Sequence, residues 1–255
     1  MSPRLEFAID AAYRAGRFTL GLFQTGASVD LKGDRTPVTE ADRGAERIIR
    51  ERIERHFPNE RILGEEEGGE QEETDRWIVD PIDGTKSFVC GVPLYGTLVA
   101  YERQGRPVVG VCYFPALDEM LYAEAGSGAF FNGRPCRVSA KTAVEGSAVC
   151  SAGHNGMFRH GRSEGINQIA QKALATRTWC DAYGHALVAT GRAEAMLDPV
   201  VKRWDVSSMI LIVREAGGMC TDFQGGDPFL PVHPEGELEL VSTNGALHKE
   251  ILGHF

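Results

Sequence analysis

At 255 residues the chain is long enough to bury a large core in one or two domains. Its composition, 42% hydrophobic and 25% charged, is that of an ordinary globular protein, and no run approaches the ~20 apolar residues of a membrane span. A net charge of −9 argues against non-specific nucleic-acid binding and means that a phosphate-bearing ligand would have to be met by cations.

Residues 1–10 carry Arg4 and Glu6 and lack the apolar stretch of a signal peptide, so a cytoplasmic protein is expected. Cys90, Cys112, Cys136, Cys150, Cys180 and Cys220 stand far apart with no zinc-type spacing, and are expected to be reduced, buried small hydrophobes. Leu5, Ala8, Ile9, Ala12, Ala15, Leu22 and Phe23 keep helical spacing, which predicts an amphipathic helix over about residues 4–24. Residues 26–37 are polar and turn-rich, with Asp30, Lys32, Gly33, Asp34 and Arg35, and read as a long, mobile functional loop.

Thr39 is the expected N-cap of a second helix, with Ala41, Ala45, Ile48, Ile49 and Ile53 on one face and Pro58 as its stop. Asp42 stands where a capping-box acid belongs, and position alone favours that structural role. Residues 61–64 form a short strand that delivers Glu65, Glu66 and Glu67. Six of the nine residues from 65 to 73 are Glu, so most of that run must be a solvated loop. Glu65, nearest the strand end, has the best-fixed backbone and is the metal-ligand candidate.

Residues 77–79, Trp-Ile-Val, favour a strand that runs into Asp80, and Pro81 prevents it from continuing regularly. Asp80 and Asp83 then bracket a forced turn. Gly84-Thr85 follows, a glycine that lets backbone approach a ligand, with a helix start just beyond. Two carboxylates converging at a strand end suit a hard cation, and N–H groups beside them suit phosphate oxygens. A solvated Asx-type turn is the structural alternative for such a motif standing alone.

Strands at 95–101, 108–114, 120–124 and 129–131, with Asn132-Gly133 as a hairpin turn, predict an antiparallel meander. The polar stretch 139–146 separates an α+β domain, residues 1–140, from an α/β domain, residues 141–255. The second half is read as a strand at 148–151, a helix at 164–175, a short strand at 179–181 and a helix at 182–190 ended by Gly191. A strand at 193–197 leads to Asp198-Pro199, and Trp204-Asp205 opens an apolar helix closed by Gly217-Gly218. A strand at 238–242 and a helix at 244–252 finish the chain.

Glu65, Asp80, Asp83 and Asp205 each fall at the end of a predicted element. Carboxylates with carbonyls and water suit Mg²⁺, which prefers octahedral oxygen coordination. An Asp that opens a helix is equally an N-cap, so for Asp205 both roles stay open. No HExxH, P-loop, G-x-S-x-G or G-x-G-x-x-G pattern is present, which weakens zinc hydrolysis, nucleotide-triphosphate use, serine hydrolysis and dinucleotide binding.

Gly64-Glu65-Glu66, the run from Trp77 to Thr85, and Trp204-Asp205 with Glu215-Ala216-Gly217-Gly218 together resemble the inositol monophosphatase family of Mg²⁺-dependent phosphomonoesterases. The match extends from Thr39-Glu40-Ala41-Asp42 to Ser242-Thr243-Asn244-Gly245. The resemblance implies an α-β-α-β-α layered sandwich of the inositol monophosphatase/fructose-bisphosphatase type. It implies one metal held by Glu65, Asp80 and the Ile82 carbonyl, a second by Asp80, Asp83 and Asp205, and a weaker third using Glu65. Thr85, bonded towards Asp42, would orient the attacking water, and the Gly84 and Thr85 amides would bind phosphate. A homodimer is also implied, with a small phosphate monoester as its substrate.

The segment Cys180-Asp181-Ala182-Tyr183-Gly184-His185, and Met196-Leu197-Asp198-Pro199 after it, look like the histidinol-phosphatase branch. Asp181 and Asp198 would form an anionic pair for the substrate ammonium, with His185, Trp179 and Tyr183 near the imidazole or packed in the core. Asp181 could instead cap the helix that follows. Lys86-Ser87 replaces the Thr-Asn usual in inositol-specific members. Inositol-1-phosphate, a nucleotide 3′-phosphate, fructose 1,6-bisphosphate and a non-catalytic regulatory role are the alternatives.

Overall fold

The computed structural model describes the whole chain except residues 27–28, 32, 34–36, 70–73, 180 and 234–235. Lys32, Asp34, Arg35, the later part of the acidic run and Cys180 therefore lie outside the described residues. Helix α1 (Pro3–Leu22) starts where the Ser2 hydroxyl accepts the Leu5 N–H at 3.2 Å. Where a continuous loop was expected, β1 (Val29–Leu31) pairs antiparallel with β2 (Pro37–Thr39). Helix α2 (Glu40–His56) has the expected Thr39 N-cap and Asp42 capping box.

A sheet follows from β3 (Arg61–Gly64), β4 (Gly68–Gly69) and β5 (Arg76–Asp83), the short helix α3 (Thr85–Val89), β6 (Gly96–Arg103), β7 (Arg106–Phe114), β8 (Glu119–Glu124), β9 (Ala129–Phe131) and β10 (Arg134–Cys136). Its order is β10-β9-β8-β7-β6-β5-β3-β4, antiparallel from β10 through β5, with β3 parallel to β5. Asn132 and Gly133, at φ 47° and 77°, make the tight turn foreseen between β9 and β10.

The second half contributes β11 (Ala148–Ser151), α4 (His154–Arg159), α5 (Ser163–Ala170), β12 (Ala175–Arg177), α6 (Asp181–Ala189), β13 (Ala195–Val201), α7 (Arg203–Glu215), β14 (Met219–Thr221), β15 (Leu238–Thr243) and α8 (His248–Leu252). Their sheet runs β12-β11-β13-β15-β14, parallel from β12 to β13 and antiparallel beyond. Two expectations are corrected. The helix foreseen over 164–175 ends at Ala170 and gives way to strand β12, and of the strand foreseen over 179–181 the described residues give none, since Trp179 is irregular and Asp181 already opens α6. Strand β14 and helix α4 had not been anticipated.

The period-2 alternation of strand side chains divides the molecule into layers. Trp77, Val79, Val99 and Tyr101 face α1 and α2, burying Ala8, Ala12, Ala45 and Ile49. On the other face Leu98, Cys112 and Leu121 meet α6 and α7 through Ala186, Val188, Met209 and Ile210. Met196 and Leu240 close that middle core from the second sheet, whose Ala195, Leu197 and Val241 turn outward onto Met157, Ile169 and Ile251 of α4, α5 and α8. The result is the α-β-α-β-α sandwich. Helix α7 can lie close on β7 because Gly110 has no side chain, and a Cβ there would come 2.7 Å from the Ser208 carbonyl. Among the described cysteines Cys112, Cys150 and Cys220 are buried, whereas Cys90 is exposed. No helix among the described residues is long and apolar enough to cross a membrane.

Candidate active site

The site forms where β5 leaves the sheet. In a regular strand Asp80 and Asp83 would point to opposite faces. Asp80 pairs with Leu98 but Asp83 with Gly96, so β5 carries one extra residue, and this bulge turns both carboxylates to the same side. As expected, the strand does not continue regularly through Pro81: it runs on to Asp83 but only by way of the bulge. Pro81 sits in the bulge, and its carbonyl accepts the Thr97 hydroxyl at 2.9 Å. Asp80 shares the parity of Ile78, which packs with Trp204 of α7. Helix α7 meets the bulge there and brings Asp205. One oxygen of each of Asp80, Asp83 and Asp205 falls within 4.8 Å of the other two.

Asp205 is not the N-cap, which was one of the two roles left open for it: α7 begins at Arg203 with Lys202 as its N-cap, and Asp205, in the third helical position, accepts the Lys202 N–H through Oδ2 at 2.7 Å while its carboxylate joins the trio. Asp42 divides in the same way. Its Oδ2 accepts the Thr39 N–H (2.7 Å) and hydroxyl (2.6 Å), and its Oδ1 lies 3.2 Å from the Thr85 Oγ1. Thr85 Oγ1 is also 3.0 Å from the Ile82 carbonyl. Glu65 follows β3, its N–H donating to the Val79 carbonyl at 3.2 Å, and its carboxyl lies against Asp80 without being part of the three-way cluster. Gly84 is left-handed (φ 82°), and a Cβ there would press within 3.0 Å of the Asp181 Oδ2 and 3.3 Å of the Leu94 carbonyl.

Burial and then the charges of Glu65, Asp83 and Asp205 push Asp80 well above the usual carboxylate range. Burial, then Asp181 and Asp205, do the same to Asp83, and burial leads in pushing Asp205 up to about 8. Such a cluster holds protons unless a cation replaces them. Asp80 Oδ1 is buried with no hydrogen-bond partner, which is unusual for a buried acceptor. An orphaned anionic oxygen among hard oxygen donors fits a divalent cation.

The second half adds Asp181, whose charge acts on Asp83 and Asp205, as does that of Asp198 in the middle of β13. Asp181 sits at φ 58° as the first residue of α6, and the next amide, Ala182 N–H, donates to Asp83 Oδ2 at 2.6 Å. His185 departs from expectation. It is 1% exposed, with Nε2 3.0 Å from Asp198 Oδ2 and Nδ1 2.8 Å from Ser242 Oγ. Both ring nitrogens are engaged, so His185 acts on the site through Asp198 and leaves no edge for a ligand. Tyr183 packs edge-on against Phe114, and Trp179 is 42% exposed. Sequence reading missed the Ala182 amide and Ser242. A backbone donor has no sequence signal, and Ser242 is one polar residue in an otherwise ordinary buried strand.

Clustered carboxylates at a strand bulge between the sheets of an α-β-α-β-α sandwich form a set of hard oxygen donors of the kind that suits a divalent cation. Comparison with known proteins agrees. Residues 1–255 match the model of the inositol monophosphatase family. The chain is 42% identical to a histidinol-phosphatase of Chlorobaculum parvum, covering 99% of this chain and 96% of that protein. It is 37% identical to an inositol-1-monophosphatase of Mesorhizobium japonicum, over 90% of this chain and 89% of the other. An IMPase structure from Thermotoga maritima superposes with a TM-score of 0.89 at 33% identity, covering 99% and 96% of the two chains. This protein belongs to the inositol monophosphatase family, a generally metal-dependent family, and is a phosphoric monoester hydrolase.

Proposed function

We propose that the protein hydrolyses L-histidinol phosphate to L-histidinol and phosphate with Mg²⁺. The observation that carries this reading is the presence of two further carboxylates, Asp181 and Asp198, whose charge acts on the acidic cluster. Histidinol phosphate carries an ammonium that inositol phosphate lacks, and paired carboxylates are suited to hold it by charge-assisted hydrogen bonds. The similarity to the Chlorobaculum parvum histidinol-phosphatase supports the same substrate.

Glu65, Asp80 and the Ile82 carbonyl would hold one ion, and Asp80, Asp83 and Asp205 a second, with Glu65 available to a weaker third. Bound there, the ions would offset the negative charge of the phosphoryl group and raise the acidity of a water beside it. The Thr85 hydroxyl has one proton and two acceptors beside it, the Ile82 carbonyl and Asp42 Oδ1. It donates to one of them, so its lone pairs are free to accept a hydrogen from the attacking water and aim that water at phosphorus. Glu65 would take the water's other proton. The Gly84 and Thr85 N–H groups, at the start of α3, would bind phosphoryl oxygens. Asp181 and Asp198 would hold the ammonium, with Asp198 oriented by His185.

A second phosphate would need a basic pocket. Lys202 and Arg203, the cations beside the motif in sequence, are committed to Glu237 (3.2 Å) and Glu102 (2.9 Å), which weighs against a bisphosphate substrate. A homodimer is part of the reading, and the exposed Phe158, Leu174 and Trp179 offer apolar surface for it. The test is Mg²⁺-dependent phosphate release, comparing kcat/KM for L-histidinol phosphate and inositol-1-phosphate. A preference of about 100-fold, roughly 2.7 kcal/mol, for the former is expected. The opposite preference overturns the substrate assignment.

A further inference from the structure

Helix α2 carries two acids one turn apart, Asp42 and Glu46, and both are 0% exposed. Asp42 reaches Thr85. Glu46 reaches the turn that carries Glu65. Its Oε2 accepts the Glu66 N–H at 2.8 Å, while its Oε1 accepts the Glu67 N–H at 3.0 Å and the Arg50 Nε–H at 2.8 Å. Arg50 also donates to the Gly68 carbonyl, so the whole turn after β3 is tied to α2.

Gly64 makes room for this arrangement. A Cβ added there would lie 2.2 Å from Glu46 Oε1 and 2.8 Å from an Arg50 nitrogen. The glycine in Gly64-Glu65-Glu66 is thus explained by the carboxylate behind it. Glu65 is held on both sides: its own N–H bonds the Val79 carbonyl, and the next two amides bond Glu46. With three successive N–H groups anchored, the Glu65 side chain starts from a fixed point. Burying a carboxylate on the apolar face of a helix, beside Ala45 and Ile49, is costly unless its bonds are all made. Here an apolar side chain would fill the space at lower cost but could not accept the two amides.

We propose that Glu46 is a positioning residue of the catalytic site. It sets Glu65 against Asp80, so that the cation meets preformed ligands, and α2 thereby aligns both Thr85 and Glu65. The proposal rests on the reading of Glu65 as a cation ligand.

The experiment is calorimetric titration of the full chain with Mg²⁺, for wild type, Glu46→Gln and Gly64→Ala. Gln turns one acceptor oxygen into an NH₂ that faces an N–H donor, and Ala at 64 displaces the carboxylate from the turn. Both variants are expected to bind Mg²⁺ 10- to 100-fold more weakly, the range seen when a residue supporting a metal ligand is lost. Unchanged Mg²⁺ affinity in the folded variants, with only a lower Tm, overturns the proposal, because a purely structural role would act on Tm alone. If Glu46→Gln fails to fold, Gly64→Ala decides by the same criterion. Glu65→Gln, run alongside, should bind Mg²⁺ at least as weakly as the two variants. Wild-type affinity in Glu65→Gln would mean that the reading of Glu65 as a cation ligand is itself wrong, which separates the two failures.

Discussion

Stripping divalent cations and raising the pH should destabilise this fold. Burial, with the charges of Glu65, Asp181 and Asp198, pushes the Asp205 carboxyl up to about 8, against the pull of its hydrogen bond from the Lys202 N–H. In the unfolded chain the same group titrates near about 4. Between those values the folded state holds a proton that the unfolded state has released. Stability that is complete below about pH 4 is therefore lost as the pH climbs towards 8. The ceiling is about 1.4 kcal/mol per pH unit for one such group. Asp205 is only partly buried, so its own share is smaller, but Asp80 and Asp83 shift in the same direction. A fall of about 3 kcal/mol from pH 5 to 8 is a reasonable total, a sizeable part of a typical folding stability of roughly 5–15 kcal/mol. Urea unfolding in chelator at pH 5, 6, 7 and 8, repeated in saturating Mg²⁺, measures it. Mg²⁺ should flatten the slope by replacing the protons, and Asp205→Asn should reduce it in chelator. A chelated protein that gains stability from pH 5 to 8, or an equal slope with and without Mg²⁺, refutes the reasoning.

Asp83→Asn keeps an acceptor for the Ala182 N–H but removes a carboxylate proposed to hold the cation; it should stay folded by circular dichroism and lose roughly 100-fold or more in kcat/KM. Near wild-type turnover would sink the ligand assignment. Asp181→Ala should raise KM for L-histidinol phosphate, and an unchanged KM would remove the ammonium pairing. His185→Phe leaves Asp198 Oδ2 without its buried donor, a loss of about 1–3 kcal/mol, so its effect should likewise fall on KM more than on kcat, by roughly 10-fold.

Those variants mark where sequence and tertiary structure part company. The Thr39 cap with Asp42, the amphipathic α1 and the Asn132-Gly133 hairpin were all legible, because each depends on neighbours a few residues away. Capping, proline geometry, left-handed glycine and side-chain periodicity are local physics, and they act the same way in any fold. The clustering of acids at element ends pointed to cation chemistry for the same reason.

What the chain order could not supply was the meeting of distant parts. Whether Asp42 and Asp205 cap helices or serve the site was undecidable in sequence; in the structure different oxygens of the Asp42 carboxylate do the two tasks, and Asp205, in the third helical position, accepts the Lys202 N–H while joining the trio. The bulge that aligns Asp80 with Asp83 is a matter of register against β6, set by cross-strand pairing. His185 looked like a ligand contact and is instead enclosed between Asp198 and Ser242. Glu46 looked like one more charge on a helix and is instead the anchor of the Glu65 turn. A carboxylate's role depends on what lies within about 3 Å of its oxygens, and for these residues that is chain from elsewhere in the fold. The sequence alone determined which chemical groups the protein brings, and the local turns that present them. Only the packed layers decided which of those groups face one another, because burial, register and mutual charge arise when the sheets close on α6 and α7.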